Sequence, residues 1–343
     1  MEISYNNQRN KKVLAFLVWG QERGGQILEI AQKTAKKKRR KGHFIRDLKK
    51  QWPLHLMVIP GVIFVIIFIY LPIYGLVMAF QRFTVMDTFA TARWVGLENF
   101  RIIAQDSFFW DSVWNTIGIS LLKMLFGFVA PIILAIQIHE MKAGRLKKTI
   151  QSISYLPHFL SWVILGGMMI TWLSSNGLIN QILQLFGGAN PPQNHLLNAD
   201  AYWFIAAISE VWKSAGWGTI LYLAALSKVD PTYYEAAKID GASRLQMIRH
   251  ITIPSLKFII SINLVLTISG LLGSNLDQTM VLQNPVNQPA SEVISTYVFR
   301  MALVQGDFSY ATAVGLATSV VALVLLLLTT AVSKKLNDNE SIL

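Results

Sequence analysis

Glu210, Lys213, Ser214 and Trp217 lie at i, i+3, i+4 and i+7 within an otherwise apolar stretch. On an α-helix that spacing puts all four on one face. An acid, a base, a hydroxyl and a large ring on one stripe suit a sugar: the ring stacks on a pyranose face and the polar groups satisfy hydroxyls. The plainer alternative is a Glu–Lys pair that neutralises itself, with the tryptophan packed on a neighbouring helix. Residue types alone leave both open. Ser274, Asn275 and Gln278 form a second polar set, which reads equally as the polar end of a helix. Lys123 stands alone in an apolar run. It can snorkel outward, face another chain, or join Lys213 in selecting an acidic sugar such as a uronate. His158, beside Pro157 in "YLPHFLSW", marks a broken helix rather than chemistry by a lone histidine. With no cysteine in the chain, disulfides and thiol-based metal or redox sites are excluded. No catalytic constellation and no metal-ligand spacing stands out.

The elements that carry these residues belong in a membrane. The 343 residues are 53% hydrophobic and only 15% charged, where a soluble domain has about a quarter charged. Six apolar segments, at 54–80, 112–138, 150–173, 201–226, 256–275 and 309–332, are each long enough as helices to cross about 30 Å of hydrocarbon. Strand-like alternation is absent from them, so the expected fold is an all-α bundle of about six spans. Lysine and arginine set its orientation. The amino tail holds 14, the 139–149 loop 4, the 227–255 loop with Lys257 5 and the carboxyl tail 2, whereas the opposite loops hold 3, none and 1. Both termini and the 227–255 loop are therefore expected in the cytoplasm. Trp94, Trp110, Trp114, Trp172 and Trp203 then fall near span ends on the far side, as interfacial anchors.

The net charge of +12 is a topology signal and does not argue for nucleic acid. The expected divisions are a basic tail at 1–52, a membrane domain at 53–337 and a short tail at 338–343. Lys11-Lys12 and apolar Val13–Trp19 imitate a secretory signal. The core is short, however, and Glu22 and Arg23 follow at once, so the segment is read as retained. The run Lys36–Lys41 reads as solvated or in contact with anionic lipid.

One loop is unusually punctuated. In "DPTYYEAAKIDGASRLQMIRHITIP", Asp230 is a good N-cap and Pro231 suits the first helical position. Gly241 supplies a left-handed residue that ends a helix, and Ser243 with Gln246 makes a capping box. Pro254 then marks entry into the next span, where its ring would strain a continuous helix. The product is a short helix, a bend and a second helix lying near the membrane surface, with small Ala236 and Ala237 leaving one side flat. An amphipathic connector would need fewer such signals. The pattern suits a rigid knob that docks into another protein.

That passage resembles the EAA signature of permease subunits of ATP-binding-cassette importers: Glu235-Ala236-Ala237, three residues, Gly241, nine residues, then Ile251-Thr252-Ile253-Pro254. Ile253 stands where leucine is usual. The flanks "WKSAGWGTILYLAALSKVDPTYYEAAKIDGA" and "NLDQTMVLQNPVNQPASEVISTYVFRMALVQGDFSYATAVGLATSV" are similar to the carbohydrate-uptake branch, and within it to permeases for oligosaccharides or polysaccharide fragments. The resemblance spans roughly residues 50 to 337 and implies a type I importer permease (MetI-like) fold. It also implies that the loop is a coupling helix seated on a cytoplasmic ATPase, with Glu235, Ala236, Ala237, Asp240, Gly241 and Ala242 making the joint. The family's substrate site lies on the span before this loop, which favours cavity lining for Glu210, Lys213, Ser214 and Trp217.

Implied partners are a second, similar permease, an ATPase dimer carrying ATP and magnesium, an extracytoplasmic solute-binding protein, the carbohydrate and the bilayer of a bacterial plasma membrane. The chain contains no G-x-x-x-x-G-K-[ST] phosphate loop, so ATP hydrolysis is expected on the partner and no enzymatic activity on this chain. Two other classes remain as alternatives. An ion-coupled transporter would favour isolated acids in spans and inverted repeats. A membrane enzyme acting on lipid-linked sugars would need convergent carboxylates or metal ligands.

Overall fold

The computed structural model describes residues 51–84, 86–188, 191–273 and 276–336. The basic tail with its Lys36–Lys41 run, the 338–343 tail, Ser274 and Asn275 lie outside the described residues. The backbone divides into two compact units, one ending at Tyr74 and the next beginning at Gly75.

In the first unit, helix α1 (Trp52–Val65) continues through a π-helical turn at Ile66–Tyr70 into a helical turn at Leu71–Ile73. None of its described residues is buried. A helix apolar all round belongs in lipid or against another protein.

The second unit opens with a small antiparallel pair, β1 (Gln81–Arg82) on β2 (Arg93–Trp94), with Gln81 opposite Trp94. After α2 (Glu98–Gln105) comes α3 (Ser107–Glu140), 34 residues long and N-capped by Asp106. The segment expected at 150–173 is not one helix. It consists of α4 (Arg145–Tyr155), a 3-10 turn at Leu156–Phe159, a break, then α5 (Trp162–Leu173), followed by α6 (Leu178–Leu185). At "YLPHFLSW", where a break is expected, the helix tightens into the 3-10 turn that contains Pro157, and the backbone leaves helical conformation at Leu160 (ψ +135°) and Ser161 (ψ +154°).

Helix α7 (Tyr202–Leu226) runs alongside α3 for most of its length. Near one end of the pair, Ile119 packs with Tyr202 and Ala206; near the other, Ala135 packs with Tyr222 and Leu226. A third cluster joins Phe109 to Tyr297, Tyr310 and Val314. Trp203 departs from its expected role as an interfacial anchor. Its ring lies against Gly118, where an added Cβ would come within 2.2 Å of it, and its Nε1 donates to the Ala290 carbonyl at 2.9 Å.

Beyond α7 come α8 (Pro231–Ile239), α9 (Arg244–Met247), a π-helical turn at Ile248–Thr252 and α10 (Ile253–Ser269). The apolar helix is therefore continuous from Arg244 to Ser269, which corrects one expectation: the helix does not break at Pro254, and the second helix of the loop runs on through it. The proline ring would strike the carbonyl of residue 250. The π-helical turn is wider at that carbonyl and absorbs the missing hydrogen bond. The chain closes with α11 (Leu276–Leu282), α12 (Gln288–Ser291), α13 (Ile294–Phe299) and α14 (Phe308–Leu336).

Among the described residues, five helical stretches are long and apolar enough to cross a membrane: Trp52–Phe80, Ser107–Glu140, Trp162–Leu185, Arg244–Ser269 and Phe308–Ala331. Helix α7, at 25 residues, is as long but more polar, because it carries Ser209, Glu210, Lys213 and Ser214.

Candidate functional site

Helices α3, α7 and α10 line an open cavity of about 890 Å³, within the size range of ligand pockets. Its walls are mostly apolar, with polar side chains converging from all three helices: Ser120 and Lys123, Glu210 and Ser214, Asn263 and Thr267. Glu210, Ser214 and Trp217, expected on one stripe, line it together. The Ser214 hydroxyl donates back to the Glu210 carbonyl at 2.7 Å, so what it offers a ligand is an acceptor lone pair. Trp217 is 44% exposed, but His158 stacks on its ring at 4.6 Å with planes 2° apart, and Phe159 meets it edge-on at 5.5 Å. A sugar has only the opposite face of that ring.

Lys213 leaves the stripe. Its Nζ donates to the carbonyls of Pro157, His158 and Leu160 at 3.4, 2.9 and 2.5 Å and lies 5.7 Å from the Trp162 ring centre. The break in the helix frees these carbonyls, and a cation is the natural cap for orphan carbonyls at a helix C-terminus. Gln278 does not line the cavity either. It is wholly buried, and its Nε2 donates to the Ala206 carbonyl at 2.7 Å and to Ser209 Oγ at 2.8 Å. Its Oε1 accepts from Lys123 Nζ at 2.5 Å. The sequence reading missed Ser120, Asn263 and Thr267. For the latter two a signal existed, since two polar residues four apart in an apolar helix share a face.

The loop following α7 is built as its residues dictate. Asp230 Oδ1 accepts from the Thr232 amide at 2.9 Å. The backbone amide and the hydroxyl of Thr232 hold this carboxyl below the usual aspartate range. At the far end of α8, Gly241 takes φ +77°. Its amide donates to the Lys238 carbonyl at 3.1 Å, and the Ala242 amide to the Ala237 carbonyl at 2.9 Å, the paired bonds of a Schellman stop. Ser243 and Gln246 exchange the two bonds of a capping box, at 2.7 and 3.4 Å. Tyr234 ties α8 to the π-helical turn through Thr252 Oγ1 at 3.1 Å and meets His139 of α3 at 5.9 Å between ring centres.

The loop is anchored on one side and open on the other. Glu235, Ala236, Asp240 and Gly241 are exposed, and Ala237 and Ala242 partly so. Beside them Tyr233, Ile239 and Leu245 are exposed, Ile239 by 86%. Among the described residues, no group of three or more His, Asp or Glu gathers to hold a metal.

The chain matches known proteins along most of its length. Residues 127–338 fit the family described as "Binding-protein-dependent transport system inner membrane component". The chain is 38% identical over 304 residues to the polygalacturonan/rhamnogalacturonan transport system permease protein YteP of Bacillus subtilis, an alignment covering 88% of this chain and 94% of that one. It is 36% identical over 294 residues to protein LplB of the same organism, covering 85% and 91%. Among solved structures, it is similar to a chain of a bacterial ABC transporter involved in the import of the acidic polysaccharide alginate. There the TM-score is 0.79 and the identity 35%, with 86% of this chain and 99% of that chain covered. A second structure of the alginate transporter, in complex with an alginate pentasaccharide-bound periplasmic protein, gives a TM-score of 0.77 and 36% identity, with 85% and 97% covered. Neither an ion-coupled carrier nor a lipid-sugar enzyme fits these matches. The chain belongs to the family of integral membrane permeases that serve binding-protein-dependent, ATP-binding-cassette transport systems.

Proposed function

We propose that this permease carries oligosaccharides or polysaccharide fragments into a bacterial cell, through a pathway that includes the α3–α7–α10 cavity. One observation carries the reading: a cavity with polar side chains converging from three apolar helices is joined by a single helix, α7, to a capped and outwardly apolar loop. The relatives named for pectic polysaccharides and the alginate importer support the substrate class. A second, homologous permease completes the pathway, and a solute-binding protein delivers the sugar, as the periplasmic protein does in the alginate complex.

The 227–255 loop docks into a cytoplasmic ATPase dimer that binds the ATP and magnesium, and this chain catalyses nothing itself. Glu235 anchors the joint by a charge-assisted contact, Ala236 and Ala237 give it a close-fitting face, and Asp240, Gly241 and Ala242 form its hinge. Closure of the ATPases pulls the loop, and rigid-body tilting of the spans opens the cavity alternately to each side. The charge bias of the loops supports a membrane domain at 53–337 with both termini in the cytoplasm.

The test replaces Gly241 with valine. At φ +77° a β-branched residue is strained by about 1–2 kcal/mol or more, and the turn must reorganise. The expected result is loss of uptake and of substrate-stimulated ATP hydrolysis in the assembled transporter, with the complex still membrane-inserted. If both activities survive unchanged, the coupling role is wrong.

A further inference from the structure

The two lysines within the spans have different surroundings, and the difference assigns one of them a task. Lys213 is outside the cavity with three backbone carbonyls around its ammonium. Lys123 lines the cavity, and among the described residues its one hydrogen-bond partner is the Gln278 amide oxygen. We propose that Lys123 is a specificity-determining residue that takes the carboxylate of an acidic sugar unit, and that Gln278 is its positioning residue. This rests on the cavity being the sugar's path.

Lys123 sits near the middle of the 34-residue, apolar α3, and an ammonium within an apolar span is expensive. It does not snorkel. Gln278 holds it inward, and the orientation of that buried amide is not free. Both Nε2 hydrogens are used by the Ala206 carbonyl and Ser209 Oγ. A flipped amide would face a carbonyl with its oxygen and an ammonium with its NH₂. Oε1 is thus fixed towards Lys123 and occupies one of three ammonium hydrogens. A neutral amide oxygen leaves most of the charge uncompensated. The remaining compensation is electrostatic, from Glu210 of α7, which lines the same cavity. A neutral sugar meets this lysine–glutamate arrangement with hydroxyls alone. A uronate adds a carboxylate for the ammonium, which a neutral sugar cannot supply, while its hydroxyls donate to Glu210. Glu210 also opposes the incoming anion, so the two charges should affect acidic cargo with opposite sign.

The experiment uses the complete transporter in proteoliposomes with one unchanged binding protein. Uptake of an oligogalacturonate is compared with uptake of its methyl ester of equal length. Lys123→Met should lower the acid-to-ester uptake ratio by about 10- to 100-fold, the scale of one charge-assisted interaction, with uptake of the ester within about twofold of wild type. Lys123→Arg should keep the preference. Gln278→Met should lower the same ratio with uptake of the ester kept. Glu210→Gln should raise the ratio, which keeps the idea exposed if the methionine variants do not assemble. Equal losses on both substrates, or restoration of uptake in a Lys123→Met/Glu210→Gln double variant, would make Lys123 a counter-ion to Glu210 and overturn the inference while leaving sugar import standing. A wild-type transporter that moves neither substrate overturns both.

Discussion

Replacing Gly216 with alanine tests the packing that holds the site together. Gly216 lies on α7 three residues after Lys213. An added Cβ would stand 1.8 Å from the backbone oxygen of Ser154 and 2.3 Å from its carbonyl carbon. Since Cβ atoms essentially never come within 3.0 Å of another heavy atom, α4 and α7 must part by at least about 1.2 Å, against a packed interior that resists it. Ser154 is three residues before Pro157, so the wedge opens next to the carbonyls that Lys213 holds. Passed on in full, it stretches the 2.5 Å bond to Leu160 to about 3.7 Å, outside hydrogen-bonding range. Overpacking costs about 1–3 kcal/mol. Loss of a hydrogen bond to a charged group costs about 1.5–3 kcal/mol. The gain from alanine over glycine within a helix returns only about 0.5–1 kcal/mol. The net destabilisation is about 2–5 kcal/mol, a fall of roughly 3–7 °C in the unfolding midpoint of the detergent-solubilised protein. Because the His158–Trp217 stack hangs on the same break, sugar uptake should weaken too. Gly167→Ala in α5 is the matched control, since a Cβ there meets nothing within 4 Å, and it should behave as wild type. If the two variants unfold at the same temperature, the close approach of α4 and α7 does not exist and the account of Lys213 falls with it.

Lys213→Met should leave the Pro157, His158 and Leu160 carbonyls without their cation, and amide exchange should accelerate across the break. Lys213→Arg, which keeps the charge, should show less of this acceleration, and equal exchange in both variants would deny the capping role. Asp230 carries a pH dependence of known sign: its folded pKa lies below the unfolded value, so its contribution is present above the unfolded value near ~3.9 and is lost as pH falls through the folded one. Exchange protection of the first turn of α8, corrected for intrinsic rates, should hold from neutral pH down to about 4 and fall below that. Asp230→Ala should be less protected at neutral pH and lack this acid-dependent fall.

The parts of this molecule that were legible in the sequence are those whose causes lie within a few residues. The caps and the stop of the loop stand as read because Asp230 caps its own helix from two residues away, Gly241 closes it, and Ser243 pairs with Gln246 three positions on. The Glu210–Ser214–Trp217 stripe held for the same reason, since helical periodicity does fix which side chains share a face. Periodicity says nothing of what opposes that face. Lys213 was grouped with the stripe, and its partners lie 53 to 56 residues away in sequence. Gln278 reads equally as cavity lining or as the polar end of a helix, and what decides between them is partners 69 to 155 residues distant.

Proline misled for a different reason, and two positions point to a common cause. Pro254 follows a π-helical turn at Ile248–Thr252, and Pro72 follows another at Ile66–Tyr70. In each case the turn ends two residues before the ring, so the carbonyl four residues back, the one the ring would strike, belongs to its middle residue. A π-helical turn runs its bonds one residue further along and opens the backbone at that point. In water a helix can end at such a proline, because solvent takes the freed carbonyl. Within hydrocarbon that carbonyl must be satisfied internally, and widening one turn is cheaper than ending the span. At these two positions, then, proline follows a wide turn centred four residues upstream, whereas Pro60 and Pro131 sit inside α-helices without one, so a proline in an apolar run of this chain does not by itself mark a span boundary.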